Sequence, residues 1–391
     1  MIDEKIAQAV NILKEKNIDM WLTFVRETSS TPDPMLDIIL GTNCTWTSAF
    51  IITASGDKIA LVGSLDEQNI KDHANYNVIG YIDSIKDDLL RTLKEKNPSG
   101  IAINFSQNDV MADGLTHGLY LTLMDYLKDT EFETRLQSSE QLVAALRGRK
   151  SSGEIERIKS AIDETLDIYD KVTDFVHTGL TEQEVAQFIR DEVHKRGLGF
   201  AWDETHCPAV FTGPDTAGAH AGPTGRKIEP GHIMNIDFGV RKNDYVSDLQ
   251  RTWYFLKPDE STAPEPVVHG FETIRHAIKK AAEVLKPDML GWQVDDAARQ
   301  YIVDAGYEEY PHALGHQVGR QAHDGSALLC PKWDRYKNLP YSKVEAGQVY
   351  TLEPRLTVEG YGIATIEEIV VVTEDGCDFL STAQEELILI S

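Results

Sequence analysis

Two aspartates stand inside apolar, strand-like segments on either side of a polar turn. The segment is NIDFGVRKNDYVSDLQRTW, residues 235–253, in which apolar residues alternate with other residues before and after the polar centre. This alternation predicts an antiparallel hairpin with Lys242 and Asn243 at its tip. In that register position i pairs with position 485 − i, and because 485 − 237 = 248, Asp237 faces Asp248. Like charges opposed at about 5 Å destabilise a sheet, so we expect a cation between them.

A second pair of acids occurs near the end of the chain in the same arrangement. Glu353 lies in QVYTLEPRL and Glu367 in GIATIEEIVVVT, and a loop centred on Gly360 pairs position i with 720 − i, which places Glu353 opposite Glu367. A single strand acid is ordinarily exposed to solvent, but two opposed pairs in one chain are hard to explain in that way. Four carboxylates and a neutral imidazole form a ligand set for two divalent cations, which balance the four negative charges.

The imidazole is expected in the segment PHALGHQVGRQAHD, which holds His312, His316 and His323. Gly315 and Gly319 allow close backbone approach around it. For His312 a structural role and a functional role stay equally open. A mixed oxygen and nitrogen ligand set favours manganese, cobalt, iron or zinc over calcium, and the ligand set alone does not distinguish among these four metals. A pair of such metals suits hydrolysis.

The pattern of secondary structure predicts an α+β protein of two domains. Residues 1–150 alternate helices and strands and form a small α/β domain, and a long amphipathic helix then opens near Ser151 and ends at Gly179. A capping box at Thr181 and Glu184 starts the next helix. Residues 151–391 combine antiparallel hairpins with helices on one face. Strands of the first domain are expected at Met20–Val25, Trp46–Thr53, Lys58–Val62, Val78–Ile82 and Ile101–Asn104. The second and third of these are expected to form a hairpin across the turn ASGD.

Composition excludes several classes of function. The 38 basic and 63 acidic residues give a net charge of −25, which argues against binding to nucleic acid or to an anionic membrane surface. No apolar run reaches the ~20 residues of a membrane helix, and the first residues do not resemble a signal peptide, so a cytoplasmic location is expected. The four cysteines are scattered, which indicates buried thiols rather than disulfides or a zinc site.

The five candidate ligands resemble those of the pita-bread metallopeptidases, the family of methionine aminopeptidase, aminopeptidase P and prolidase. The family order is Asp, a second Asp eleven residues on, His in Gly-His-x-x-Gly, Glu before Pro, and a last Glu in a strand. It corresponds here to Asp237, Asp248, His316, Glu353 and Glu367. The resemblance covers most of residues 150–391. It extends more weakly to residues 1–150, which resemble the creatinase/prolidase-type N-terminal domain.

The resemblance implies a two-metal hydrolase of Xaa-Pro peptides, either an aminopeptidase or a dipeptidase. In the family mechanism a hydroxide that bridges the metals attacks the scissile carbonyl, and Glu353 shuttles the proton. His220 corresponds to a histidine that helps to bind and polarise the substrate, and His323 to one that stabilises the tetrahedral intermediate. His312 is similar to a further histidine of aminopeptidase P, and it is expected to contact the substrate. A homodimer is also implied.

One departure from the family pattern affects the substrate pocket. Aminopeptidase P and prolidase usually have Gly after the Glu-Pro and Arg two residues before the final Glu, whereas these positions hold Arg355 and Thr365. Since 355 + 365 = 720, we expect the guanidinium to have moved across the hairpin, where it still reaches a carboxylate or carbonyl of the substrate. A pairing of Arg355 with surface acids is the alternative.

Two other functions stay open at this point. A metal-dependent amidohydrolase of a non-peptide C–N bond would use the same fold and ligands. A peptidase-like binding module would have lost its ligands, and the presence of all five counts against it.

Overall fold

The chain divides into two compact units. The computed structural model describes residues 1–215 and 222–391, and its contacts separate Met1–Arg147 from Gly148–Ser391. The assignment of the first unit to a creatinase/prolidase-type domain stays a prediction.

The first unit is built on a six-stranded mixed sheet. Its strands are β1 Met20–Val25, β2 Ser48–Thr53, β3 Lys58–Gly63, β4 Asn77–Tyr81, β5 Ile101–Ile103 and β6 Leu136–Ser138. The order is β4-β3-β2-β1-β5-β6, in which β1–β2 and β2–β3 pair antiparallel and the other pairs are parallel. The predicted β2–β3 hairpin is confirmed.

Helices cover both faces of this sheet, which explains why its strands are apolar runs rather than alternating ones. Trp21 and Phe50 face the side of α1 and α6, and Leu22 and Ile51 face the side of α4 and α5. The helices are α1 Ile2–Glu15, α2 Leu36–Ile39, α3 Glu67–His73, α4 Lys86–Lys96, α5 His117–Leu127 and α6 Glu140–Gly148.

In the described residues of the second unit, 148–215 and 222–391, there are four α-helices, α7 Ser152–Phe175, α8 Glu182–Lys195, α9 Glu265–Val284 and α10 Gly291–Asp304. Capping boxes start α7 at Ser151 and α8 at Thr181, the latter as predicted. The prediction that α7 runs to Gly179 is wrong, because the buried Val176 already adopts an extended conformation. No helix in the described ranges combines the length and apolar composition needed to cross a bilayer.

The strands of the second unit are short and mostly antiparallel, and α9 and α10 pack their apolar faces against them. The sheets are β20-β12-β9-β8, β15-β18-β19, β11-β10-β7, β16-β17 and β13-β14. This architecture confirms the predicted α+β class. The strands are β7 Gly199–Phe200, β8 Ala209–Thr212, β9 Ile233–Phe238, β10 Val240–Lys242, β11 Tyr245–Val246, β12 Leu249–Phe255, β13 Gly315–His316, β14 Leu328–Leu329, β15 Val349–Leu352, β16 Arg355–Val358, β17 Gly362–Thr365, β18 Glu368–Val372, β19 Cys377–Phe379 and β20 Ile388–Ile390.

Candidate metal centre

The first hairpin has a register two residues away from the predicted one. Asn243 and Asp244 both have positive φ, 51° and 68°, as a two-residue type I′ turn requires, and they form the tip in place of Lys242 and Asn243. Paired positions therefore add to 487, and Asp237 lies opposite Gln250. The prediction that Asp237 directly faces Asp248 is wrong.

Because a slip of two residues keeps a side chain on the same face of the sheet, the two aspartates are still neighbours. Asp248 is the diagonal neighbour of Asp237, and the charge of Asp237 adds to the burial that raises the pKa of the Asp248 carboxyl group. Gly239, in the strand opposite, permits this close approach, since a Cβ there would lie 1.9 Å from the backbone oxygen of Ser247.

The second hairpin has the predicted register. Paired positions add to 720 both in β15–β18 and in β16–β17, so Glu353 and Glu367 occupy corresponding positions between the two ladders. The backbone N–H of Glu353 donates to Leu314, and that of Glu367 donates to Gln250 in the first hairpin. The second of these contacts joins the two hairpins at an acidic residue, and the first joins Glu353 to the residue before β13.

His316 completes the cluster from a third element, β13. Its close approach depends on Gly315, where a Cβ would lie 1.9 Å from the backbone oxygen of Thr351. The Nε2 atom of His316 lies 3.4 Å from Oε1 of Glu353 and 3.7 Å from Oδ2 of Asp248. Ligand atoms of Asp248, His316 and Glu367 all lie within 4.8 Å of one another.

Ionisation of all four carboxyl groups of the cluster is unfavourable in the absence of a cation. Burial raises the pKa of Asp237 to about 7. It also raises the pKa values of Asp248, Glu353 and Glu367 well above their usual range, and the neighbouring carboxylates add to the effect. Burial, together with the nearby His323, lowers the pKa of His316 to about 3, so this imidazole is neutral and able to bind a metal.

Several buried oxygens of the cluster have no hydrogen-bond partner among the described residues, namely Oδ1 of Asp237 and both carboxyl oxygens of Glu367. Unsatisfied buried oxygens are costly, and they are explained when cations bind them. The oxygen and nitrogen donors therefore fit divalent metal ions.

The other predicted site residues differ in their relation to the cluster. The ring of the exposed His323 contacts that of His316 edge to face, with centroids 4.2 Å apart. The Nδ1 atom of His312 lies 2.8 Å from the backbone oxygen of Ala313, and its ring packs beside Tyr310. His220 lies outside the described residues.

Arg355 pairs with Thr365 across the hairpin, as the register predicted. Its guanidinium is partly buried, which lowers its pKa, and it makes no ion pair or hydrogen bond in the part of the chain that the structure describes. The alternative in which Arg355 pairs with surface acids therefore finds no support among these residues.

The sequence did not predict the roles of Gln250 and Arg251, which contact the acidic residues. Gln250 contacts Glu353, and the buried Arg251 donates to the backbone oxygens of Gln250 and Glu367. Arg251 also forms a buried ion pair with Glu368 at 3.1 Å. A type I′ turn at Asn243 and Asp244 would have placed Gln250 opposite Asp237 from the sequence alone.

Comparison with known proteins gives a family match and several relatives. The sequence model of metallopeptidase family M24 matches residues 156–374. An uncharacterised peptidase of Staphylococcus saprophyticus is 29% identical over 335 residues, which cover 85% of this chain and 87% of the relative. The Xaa-Pro dipeptidase of Pyrococcus furiosus is 28% identical over 280 residues, which cover 70% of this chain and 75% of the relative.

Solved structures show the same fold over almost the whole chain. An Xaa-Pro dipeptidase from Bacillus anthracis has a TM-score of 0.74 at 22% identity and covers 100% of both chains. An X-Pro aminopeptidase from Thermotoga maritima has a TM-score of 0.71 at 23% identity and covers 98% of this chain and 99% of its own. At these identities the likeness concerns the fold.

Proposed function

The chain belongs to metallopeptidase family M24, and on this basis we propose that it hydrolyses the bond between Xaa and Pro in Xaa-Pro peptides. The family binds divalent metals, and we propose Asp237, Asp248, His316, Glu353 and Glu367 as the ligands of two of them. The observation that carries this proposal is the set of buried, unpartnered carboxyl oxygens beside a neutral imidazole. Manganese is the first metal that we propose, with cobalt, zinc and iron as alternatives, because oxygen and nitrogen donors suit all four.

Such metals supply Lewis acidity, which polarises the scissile carbonyl and acidifies water. The protein's part is to position groups and to move a proton. Glu353 faces His316 with one carboxyl oxygen and Gln250 with the other, and its raised pKa suits a group that accepts a proton and passes it to the departing proline nitrogen. His323 is exposed beside His316, where it can donate to the developing oxyanion.

We propose that His220, His312 and Arg355 bind the substrate. The support for Arg355 is its guanidinium, which is partly buried, belongs to the residue that follows Glu353–Pro354 in the chain, and makes no ion pair with the described residues. A buried cation of this kind suits the carboxylate of a dipeptide. This favours dipeptidase over aminopeptidase activity. The homodimer and the cytoplasmic location stay predictions.

The experiment compares substrate classes with one metal-site variant. Chelator-stripped protein is supplied with Mn²⁺ or Co²⁺ and assayed on Xaa-Pro dipeptides, longer Xaa-Pro peptides and simple amides. We expect cleavage of the Xaa-Pro bond by the wild type and none by Asp248→Ala. Turnover of simple amides alone would contradict the proposal and favour an amidohydrolase. Absence of both metal and turnover would favour a binding module.

The role of Arg355 is tested with a matched pair of substrates, an Xaa-Pro dipeptide and its C-terminal amide. Losing a charge-assisted hydrogen bond costs about 1.5–3 kcal/mol, so Arg355→Ala should raise KM for the free dipeptide roughly 10- to 100-fold. KM for the amide should stay unchanged. An equal change for both substrates would show that Arg355 does not bind the carboxylate.

A further inference from the structure

Gln250 contacts the acidic cluster although it is not one of the five proposed metal ligands. It lies opposite Asp237 in the first hairpin, and its backbone oxygen accepts from the N–H of Glu367 in the second. Its side chain is buried, and the amide Nε2 donates to Oε2 of Glu353 at 3.3 Å. One residue thus contacts three of the four acids through its backbone or its side chain.

Thr365 fixes which way this amide points. The Thr365 hydroxyl donates to Oε1 of Gln250 at 2.7 Å, which leaves the NH₂ group to face Glu353. The alternative acceptor, the backbone oxygen of Pro354, is farther away at 3.2 Å. Thr365 is itself held by Thr252, whose hydroxyl donates to the Thr365 carbonyl at 2.5 Å and accepts from the Thr365 N–H at 3.3 Å.

The two carboxyl oxygens of Glu353 consequently have different surroundings. Oε2 is occupied by the amide of Gln250, whereas Oε1 faces Nε2 of His316 at 3.4 Å. A rotation of the carboxylate would break the contact between Oε2 and Gln250, and also the longer contact at 3.5 Å between Oε1 and the hydroxyl of Thr351. The amide therefore selects the oxygen that Glu353 presents to the centre of the cluster.

We propose that Gln250, oriented by Thr365, is a positioning residue that holds the Glu353 carboxylate in the orientation needed for metal binding and proton transfer. This inference rests on the proposed function, because it takes Glu353 as both ligand and proton carrier. Position 365 is the one at which the resemblance leads one to expect Arg, and here a neutral hydroxyl acts through a neutral amide.

The test uses two variants that remove one hydrogen bond each while keeping size. Gln250→Met removes the donor to Glu353, and Thr365→Val removes the hydroxyl that orients the amide. The matched control is Gln300→Met, which removes an exposed hydrogen bond from glutamine to Asp304 on α10. Thr365→Ser keeps the hydroxyl. Thermal melts of the metal-free proteins establish that all four variants are folded.

The primary readout is the affinity of each metal-free protein for Mn²⁺, measured by calorimetric titration. Residues that orient metal ligands typically contribute 10- to 100-fold in affinity, so Gln250→Met and Thr365→Val should weaken Mn²⁺ binding at least about tenfold. Thr365→Ser should recover most of the affinity lost in Thr365→Val. With an Xaa-Pro dipeptide, the loss should fall on kcat rather than on KM, since Gln250 acts through Glu353.

Mn²⁺ affinity equal to the wild type in both folded variants would overturn the inference, and so would a failure of Thr365→Ser to recover it. The proposed function can fail separately. A wild type that binds Mn²⁺ but cleaves no Xaa-Pro peptide refutes the peptidase proposal, while the comparison of affinities still decides the role of Gln250. A wild type that binds no Mn²⁺ overturns both.

Discussion

Replacing Asp237 by Asn should stabilise the metal-free protein and destabilise the metal-loaded one. Asp237 is surrounded by Asp248, Glu353 and Glu367, and one of its carboxyl oxygens is buried without a partner. Without a cation, ionising Asp237 opposes folding. With a cation, the same carboxylate is a ligand, and its loss weakens the site. The sign of the effect should therefore reverse when metal is added.

The magnitude follows from the pKa of Asp237, which burial raises from 3.8 to about 7. A rise of roughly three units corresponds to about 4 kcal/mol, an upper limit because the side chain is partly exposed. For a carboxyl group whose folded-state pKa is raised, the folded protein binds the proton more tightly than the unfolded chain does. Stability contributed by the protonated group is therefore present below pH 4 and is lost as pH rises from about 4 to about 7.

The assay is urea unfolding between pH 5 and pH 8, with a chelator and with excess Mn²⁺. At pH 8 in chelator, Asp237→Asn should be more stable than the wild type by about 2–4 kcal/mol, and the difference should shrink towards pH 5. In Mn²⁺ the wild type should be the more stable protein. The control is Asp296→Asn, which removes the same charge from an exposed position on α10.

An Asp237→Asn protein that is less stable than the wild type in chelator at pH 8, with an unchanged dependence on pH, would refute this reasoning. It would mean that the carboxylate is stabilised by other protein groups and has no need of a cation. An equal gain in Asp296→Asn would also refute the reasoning, because the effect would then be one of net charge rather than of the cluster.

Two further predictions concern the residues that support the cluster. Arg251→Met leaves Glu368 buried without its cation and should cost about 3–5 kcal/mol of unfolding free energy. The double variant Arg251→Met/Glu368→Gln should recover part of this loss. A cost below about 1 kcal/mol in urea unfolding would contradict the prediction. Gly239→Ala forces a Cβ against the backbone oxygen of Ser247, so it should cost about 2 kcal/mol of unfolding free energy and weaken Mn²⁺ binding in calorimetry. The control Gly118→Ala, whose Cβ meets no atom within 4 Å, should do neither. Equal effects of the two substitutions would contradict the prediction.

Local chemistry made much of the fold predictable from the sequence. The capping box at Thr181 and Glu184 forms as expected, because it depends only on residues three apart. The register of the second hairpin was also predictable, because the loop around Gly360 is short and the Gly residue has a φ of 79°. The hairpin of β2 and β3 follows from a turn of the same kind.

The register of the first hairpin was harder to predict, because it depends on which residues of a polar run adopt positive φ. Asn243 and Asp244 tolerate that conformation less obviously than Asn-Gly would, and the choice between two neighbouring tips shifts every pairing by two positions. The hydrogen bonds of Gln250 join residues 103 and 115 positions apart, and no local pattern reports them.

The central claim is that the buried acids hold divalent cations, and Glu367 tests it most directly because both of its carboxyl oxygens are buried without partners among the described residues. Chelator-stripped wild type and Glu367→Gln are titrated with Mn²⁺ in a calorimeter. We expect the wild type to bind about two ions per chain and Glu367→Gln to bind them at least about tenfold more weakly. No uptake by the folded wild type, or the same uptake by both proteins, would contradict the claim.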